Sequence, residues 1–141
     1  MKHVRKFCQA YSRMFLLLTG LVFLVATVDS RADEGVRLYT PYTKITVSPG
    51  ETVDYSIDVI NNTDQTKNID ISIAGMPKGW NFILKSGSWN VQQISVLPKE
   101  KKSLSLKVEV PLKVNKGTYR FRIVAGGFHT LPLAVVISEQ G

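Results

Sequence analysis

The stretch that decides the fold is residues 52–60, which read TVDYSIDVI. Apolar side chains at Val53, Tyr55, Ile57 and Val59 alternate with polar ones, so the hydrophobic period is two residues. A period of two places every second side chain on the same face of a β-strand. The segment therefore predicts a strand with one buried face and one face in water, as in an antiparallel sheet.

The same alternation recurs from residue 36 onward, and turn signals rich in Pro, Gly and Asn separate the runs. We predict an all-β fold, an immunoglobulin-like antiparallel β-sandwich of seven to eight strands. Periodicity leaves an open barrel as the alternative. The predicted strands are A at 36–47 with a break at Pro41, B at 52–60, C at 67–74, a C′ or D region at 80–84 and 91–96, E at 102–110, F at 118–125 and G at 131–138. Strand B is expected beside E in one sheet, and C beside F in the other.

Charged side chains on the predicted outer faces are consistent with that pairing. Asp54 and Asp58 on B are expected to face the strand that carries Lys107. Asp70 on C is expected to face the strand that carries Arg120 and Arg122. Opposite charges across strands stabilise a sheet by about 0.2–1 kcal/mol per pair. We therefore interpret these charges as solvated structural pairs and not as a site.

The N-terminal leader predicts export. Residues 1–13 are basic and polar, residues 14–28 form an uncharged and mostly apolar run, and Ser30-Arg31-Ala32 places small residues at a cleavage site. These three features together are typical of a secretory signal peptide. We predict a signal peptide at 1–32 and one sandwich domain at 33–141, secreted, periplasmic or at the cell surface. The alternative is an uncleaved membrane anchor at 14–28, which is short against the roughly 20 residues that span a bilayer.

Charge and residue usage exclude several function classes. The net charge of +7 lies mostly in the leader, because residues 33–141 hold thirteen basic and ten acidic side chains, which argues against nucleic-acid binding. The single cysteine, Cys8, also lies in the leader, so the domain can form no internal disulfide and no thiolate metal site. His129 is the only histidine after the leader and has no partner for acid–base chemistry in the sequence. We predict neither an enzyme nor a bound metal or cofactor.

Aromatic side chains cluster in residues 78–90, which read KGWNFILKSGSWN. Trp80 and Phe82 are two apart, so they are expected to share one strand face and to fill the core. Trp89 follows a Ser-Gly-Ser sequence that predicts a loop, where binding residues are common. Trp89, Asn90 and Ser88 are therefore the candidate ligand-binding residues, and an exposed tryptophan that stacks on sugar rings would make the domain a carbohydrate-binding module.

Five further residues are predicted to be structural. Gly50, Gly79 and Gly117 lie in turns that need a flexible backbone. Trp80 and Tyr119 each follow such a turn and are expected to close opposite parts of one core. Tyr119 also stands at the start of strand F, the position of the tyrosine corner in immunoglobulin-like sandwiches.

Several short motifs occur in order along residues 47–125. They are Ser48-Pro49-Gly50-Glu51-Thr52-Val53, Ile60-Asn61-Asn62, Met76-Pro77-Lys78-Gly79-Trp80, Leu97-Pro98, Val110-Pro111 and Gly117-Thr118-Tyr119. In this order and spacing they resemble a bacterial family, the immunoglobulin-like module found beside NPCBM domains in some alpha-galactosidases and in tandem in surface proteins. The chain departs from that pattern at Pro98-Lys99-Glu100, where the family has a second Pro-Gly turn. The resemblance implies an accessory module without catalytic activity.

The sequence thus predicts a non-catalytic, exported accessory or interaction module of the bacterial cell envelope, a function that rests on fold-level analogy. Its expected partner is an envelope protein or polysaccharide, with no nucleic acid. Contact with a membrane is expected only through the N-terminal segment, if that segment stays uncleaved. The alternative function is carbohydrate binding through Trp89 and its neighbours.

Overall fold

A computed structural model describes residues 35–141, so the predicted signal peptide at 1–32 lies outside the described residues. Residues 35–141 form one compact unit of β-strands without a helix. It follows that this part of the chain holds no helix long and apolar enough to span a membrane. The strands are β1 (Val36–Tyr39), β2 (Lys44–Val47), β3 (Thr52–Asn61), β4 (Lys67–Ala74), β5 (Asn81–Ser86), β6 (Trp89–Asn90), β7 (Gln93–Val96), β8 (Lys101–Glu109), β9 (Gly117–Ala125) and β10 (His129–Ile137).

The strands form two five-stranded sheets that pack as a β-sandwich. Sheet I has the order β1-β3-β8-β5-β6, and sheet II has the order β2-β10-β9-β4-β7. Strands β3 and β8 pair in sheet I and β4 and β9 pair in sheet II, which confirms the predicted neighbours B–E and C–F. The strands divide into two separate sheets, as the sandwich prediction requires, and do not form the single continuous sheet of an open barrel. The sheets are not purely antiparallel, because β2 runs parallel to β10.

The chain crosses between the sheets at both sides of the sandwich, which raises the strand count above the predicted seven to eight. Residues 40–43, around Pro41, carry the chain from β1 in sheet I to β2 in sheet II. Thr40 is buried at this crossing, and its Oγ1 donates a hydrogen bond to the Ser56 carbonyl at 2.8 Å. On the other side, residues 91–92 connect β6 in sheet I to β7 in sheet II.

The core lies between the sheets and consists of the inward phase of the strands. Strand β3 alternates buried and exposed side chains over most of its length, as the period of two predicts. Tyr55 packs edge-on against Phe121, with ring centroids 6.1 Å apart. The fully or almost fully buried large side chains are Ile57, Val59, Leu106, Val108, Ile123, Leu133, Val135 and Ile137.

Two turns, one with a Pro-Gly and one with a Pro-x-Gly sequence, precede strands β3 and β5, and the glycine of each has a positive φ angle. At the first turn, the Glu51 amide donates to the Ser48 carbonyl at 3.2 Å, and Gly50 has φ +81°. At the second turn, the Trp80 amide donates to the Pro77 carbonyl at 3.1 Å, and Gly79 has φ +85°. A type II turn needs this left-handed angle at its third residue, which glycine adopts without a steric penalty.

One buried polar side chain, Asn61, ties three segments together at the end of β3. Its Nδ2 donates to the carbonyls of Gln65 at 2.8 Å and Val96 at 2.9 Å. Its Oδ1 accepts hydrogen bonds from the amide and the hydroxyl of Thr63. Both sides of the amide are satisfied, so burial of Asn61 carries no unpaired group.

The predicted charge pairing is confirmed in sheet I and wrong in sheet II. Asp54 lies directly opposite Lys107 across β3 and β8. Asp70, in contrast, lies opposite Gln93 on β7, whose Nε2 donates to the Asp70 carboxylate at 2.8 Å. The β4–β9 pairing begins only at Ile71, so Asp70 lies beyond the part of β4 that pairs with the arginine-bearing strand.

Candidate functional site

The candidate site is a groove of about 410 Å³ at the open side of the sandwich, between β4 of sheet II and β5 of sheet I. The groove exists because the chain crosses between the sheets at residues 91–92. For this reason β6 pairs only with the C-terminal part of β5, and β7 pairs only with the N-terminal part of β4. We call it the edge groove. Its lining residues are Ile71, Ser72, Ile73, Phe82, Ile83, Leu84, Asn90, Val91 and Gln92.

The β4 side of the edge groove presents backbone groups without a strand partner. The Gly126 amide donates to the Asp70 carbonyl, so the backbone groups of Asp70 face β9. The Ile71 amide donates in the opposite direction, to the Gln92 carbonyl at 2.8 Å. Backbone groups alternate in direction along a strand. The amide and carbonyl of Ile73 therefore face the groove, where no strand of residues 35–141 pairs with them.

The β5 side repeats this arrangement. The Val91 amide donates to the Leu84 carbonyl at 3.2 Å, so the backbone groups of Leu84 face away from β8. Phe82 has the same phase, and β6 pairs only with Lys85 and Ser86. The amide and carbonyl of Phe82 are consequently free at the edge of sheet I, within the part of the chain that the structure describes. Such unpaired edges are templates for the addition of another strand.

Two large apolar side chains of β5 are exposed beside these free backbone groups. Phe82 and Ile83 are each 41% exposed. The prediction that Phe82 fills the core with Trp80 is therefore wrong for Phe82. The Phe82 side chain lies on the inward face of β5. Because β6 pairs with β5 only at Lys85 and Ser86, β5 is the edge strand at Phe82 and the ring is left partly uncovered.

The three predicted ligand-binding residues lie at the tip of the β5–β6 hairpin. Gly87 and Ser88 form its turn, and Trp89 and Asn90 form β6, so the predicted loop is in fact a short strand. Trp89 is 76% exposed, and Ser88 and Asn90 are exposed too. Successive residues of a strand point to opposite faces. Asn90 lines the edge groove, whereas Trp89 and Ser88 do not, so the three side chains do not converge on one surface.

The predicted structural residues lie elsewhere, at the end of the sandwich where β5 and β9 begin, which we call the lower end. Trp80 is 6% exposed and packs against Tyr119, whose hydroxyl donates to the Asn115 carbonyl at 2.8 Å. The expectation that these rings close opposite parts of the core is wrong, because they contact each other. Gly117 opens β9, two residues before Tyr119.

The chemistry of the edge groove suits binding by shape and hydrogen bonds. Its apolar floor comes from side chains such as Ile71 and Leu84, and its polar groups are the hydroxyl of Ser72 and the amides of Asn90 and Gln92. None of the lining side chains is titratable. Among residues 35–141, no three His, Cys, Asp or Glu side chains lie close enough together to hold a metal ion.

Ser72, Ile73 and Gln92 line the edge groove, although the sequence pattern did not predict them as site residues. Their local pattern is that of ordinary strand and connector residues, and only the crossing at residues 91–92 brings them together. One signal was present in the sequence: Phe82-Ile83 places apolar side chains on both faces of one strand, which is unusual where a single face is covered.

Neither a protein-family model nor a curated protein matches the chain. Solved structures match it at low identity. A family 123 glycoside hydrolase from Clostridium perfringens matches with a TM-score of 0.53 and 9% identity, over 69% of this chain and 23% of that one. Domains 4 and 5 of the S-layer protein SbsC match with a TM-score of 0.51 and 9% identity, over 74% and 53%. A β-glucosidase from Listeria innocua, solved with glucose, matches with a TM-score of 0.50 and 10% identity, over 74% and 16%.

These likenesses concern the fold alone. The chain spans 23% of the length of the glycoside hydrolase and about half of the S-layer structure that it matches. Fold similarity of this kind does not transfer an activity. The fold and the site together define an all-β sandwich domain with an apolar groove along one open side.

Proposed function

We propose that this chain is an exported, non-catalytic interaction module of the bacterial cell envelope, and that it binds a protein partner along the edge groove. The observation that carries this proposal is the meeting of two unpaired strand edges with exposed apolar side chains. Ile73 and Phe82 offer free backbone donors and acceptors, and the Phe82 and Ile83 side chains offer apolar contact area. This combination suits the addition of an extended segment from a partner, in which backbone hydrogen bonds supply affinity.

Two further features support an accessory module of immunoglobulin type. The neighbours β3–β8 and β4–β9 follow the order of that fold, and the hydrogen bond from Tyr119 to Asn115 has the form of a tyrosine corner. The resemblance of residues 47–125 to the NPCBM-associated module points to the same accessory role.

Export is supported by the leader at residues 1–32 and is tested by mass spectrometry of the exported protein, which should begin at Asp33. Recovery of an intact 14–28 segment in the membrane fraction would favour the anchor instead.

The groove is tested by site-specific photo-crosslinking in cells that export the full chain. A benzophenone amino acid at position 92, in the groove, should give one defined crosslinked protein. The same group at position 112 is the control, because Leu112 is exposed in the β8–β9 loop, away from the groove. Phe82→Pro should abolish the crosslink, since it removes a free amide without breaking the β5–β8 ladder, whose bonds come from the other phase.

Phe82→Ala separates the two contributions, because it keeps the amide and removes the ring. It should weaken the crosslink less than Phe82→Pro does. Equal crosslinking from positions 92 and 112, or a crosslink unaffected by Phe82→Pro, would overturn the groove as the docking surface.

The second candidate function is carbohydrate binding through Trp89. It is favoured by the 76% exposure of the indole at a hairpin tip. An exposed indole is a platform on which a sugar ring can stack.

A further inference from the structure

The outer face of sheet II carries positive charge that the fold does not neutralise. Across the strands, Arg120 lies beside Ala134, and Ala134 lies beside Lys44. Arg122 lies one row away, beside Pro132. We call Lys44, Arg120 and Arg122 the cationic face. All three side chains are exposed.

No acid of the sheet compensates these charges. Asp70 is the only acidic residue on the strands of sheet II, and Gln93 occupies its carboxylate. Among the described residues, no carboxylate lies within 4.0 Å of Lys44, Arg120 or Arg122. From the sequence we expected Asp70 to lie opposite these arginines. The register of β4 places Asp70 opposite Gln93 instead, so the arginines have no acidic side chain across from them.

The outer face of sheet I shows that this imbalance is particular to sheet II. There Lys101 Nζ lies 3.6 Å from the Asp58 carboxylate, and Asp54 stands opposite Lys107. Both signs of charge alternate on that surface, as in an ordinary solvated face. The sheet I lysines therefore provide a matched control for the cationic face.

Short side chains of β10 lie between the arginines on β9 and Lys44 on β2. Ala134 points outward and is only 8% exposed, so longer neighbouring side chains cover it. The outward residues of β10 are Thr130, Pro132, Ala134 and Val136.

The side chains also select the chemistry of a ligand. Arg120 and Arg122 are two residues apart on one strand face, so their attachment points are about 7 Å apart. A guanidinium group presents a planar fork of donors that matches the oxygens of a phosphate. Proteins that lie on lipid insert exposed apolar side chains. Those next to sheet II, which are Tyr42, Leu97 and Phe128, lie in the connections at the ends of its strands and not on the strands themselves.

We propose that the cationic face binds a linear phosphodiester polymer of the cell envelope, whose phosphates contact the two arginines and Lys44. The cellular source of this polymer rests on the proposed export of the chain. The contact itself rests on charge complementarity, and it uses a different surface from the edge groove.

The test is calorimetric titration of the purified protein with poly(glycerol phosphate). Wild type should bind, and Arg120→Ala/Arg122→Ala should weaken binding about tenfold or more, because both forked guanidinium donors are lost. Lys101→Ala/Lys107→Ala removes the same charge from sheet I and should change the affinity less than about twofold. Binding should weaken between about 0.1 M and 1 M salt, as the Debye length falls from about 10 Å to 3 Å.

Several outcomes would overturn the proposal. They are an absence of binding, an equal loss in the Lys101→Ala/Lys107→Ala variant, equally tight binding of poly-glutamate, and tighter binding of phosphatidylglycerol vesicles than of the polymer. Phe82→Pro should bind the polymer like wild type. That result separates failure of the edge groove from failure of the cationic face.

Discussion

The rings of Trp80 and Tyr119 lie 4.9 Å apart between centroids, with 38° between their planes. Trp80 follows the turn before β5, and Tyr119 lies near the start of β9. The contact therefore joins one strand of each sheet at the lower end of the core. The Tyr119 hydroxyl donates to the Asn115 carbonyl at 2.8 Å and so holds the β8–β9 loop to the same cluster.

Trp80→Ala should reduce the free energy of unfolding by about 3–5 kcal/mol, because a large buried side chain is replaced by a cavity. That is a large share of the roughly 5–15 kcal/mol that stabilises a domain. Chemical denaturation measures the effect, with Trp89→Ala as the control. Trp89 is mostly exposed, so its removal should change stability by less than about 0.5 kcal/mol. Equal stability of Trp80→Ala and wild type would place Trp80 on the surface.

Tyr55→Phe should increase the free energy of unfolding by about 1 kcal/mol, because the buried Tyr55 hydroxyl has no hydrogen-bond partner among the described residues. Tyr119→Phe makes the same chemical change where the hydroxyl does have a partner, and it should cost about 0.5–1.5 kcal/mol. Urea denaturation of both variants measures the opposite signs. Destabilisation of both by the same amount would contradict the prediction.

The stability of the protein should depend on Tyr55 at alkaline pH. Burial raises the pKa of Tyr55 to about 12, above its ordinary value of about 10. The folded state keeps the phenol proton where the unfolded state loses it. Ionisation of Tyr55 therefore leaves the free energy of unfolding unchanged below pH 10 and lowers it as the pH rises from 10 towards 12. The difference in unfolding free energy between wild type and Tyr55→Phe should follow that course, and a difference independent of pH from 9 to 12 would contradict it.

Trp89→Ala should abolish retention of the protein on an insoluble polysaccharide or peptidoglycan, if the carbohydrate alternative is correct, while its melting temperature stays unchanged. The control is Leu112→Ala, which removes another exposed apolar side chain far from the hairpin. Co-sedimentation with the insoluble polymer and a thermal melt measure the two quantities. Lack of retention by wild type would remove the alternative, and loss of stability in Trp89→Ala would assign the indole a structural role.

Asn61→Ala should reduce the free energy of unfolding by about 2–4 kcal/mol, because it leaves the buried Val96 carbonyl and the Thr63 amide without their partner. Asn62→Ala is the matched control, since Asn62 is exposed and only its backbone takes part in hydrogen bonds. Denaturation curves of the two variants should differ clearly. Similar stabilities would show that water replaces the contacts of Asn61.

Much of the sandwich could be predicted from local pattern. The period of two in residues 52–60 predicted β3 within one residue of its observed end, and the predicted C strand at 67–74 matches β4. The Pro49-Gly50 turn also follows from local rules, since proline sets one backbone angle and glycine accepts the next. The candidate site was harder to predict from the sequence. Asn90 was predicted as a site residue and lines the groove, but the other polar lining residues Ser72 and Gln92 were not predicted.

The sequence by itself determined which residues extend as strands and which phase of each strand is apolar, because both depend on neighbours along the chain. Tertiary structure decided what lies beside each strand. The crossing at residues 91–92 left Phe82 exposed on an inward phase, and the register of β4 placed Asp70 beside Gln93 and left Arg122 without an acid. A local pattern fixes the direction of a side chain, whereas its burial and its charge partner depend on which strand or layer the fold places opposite.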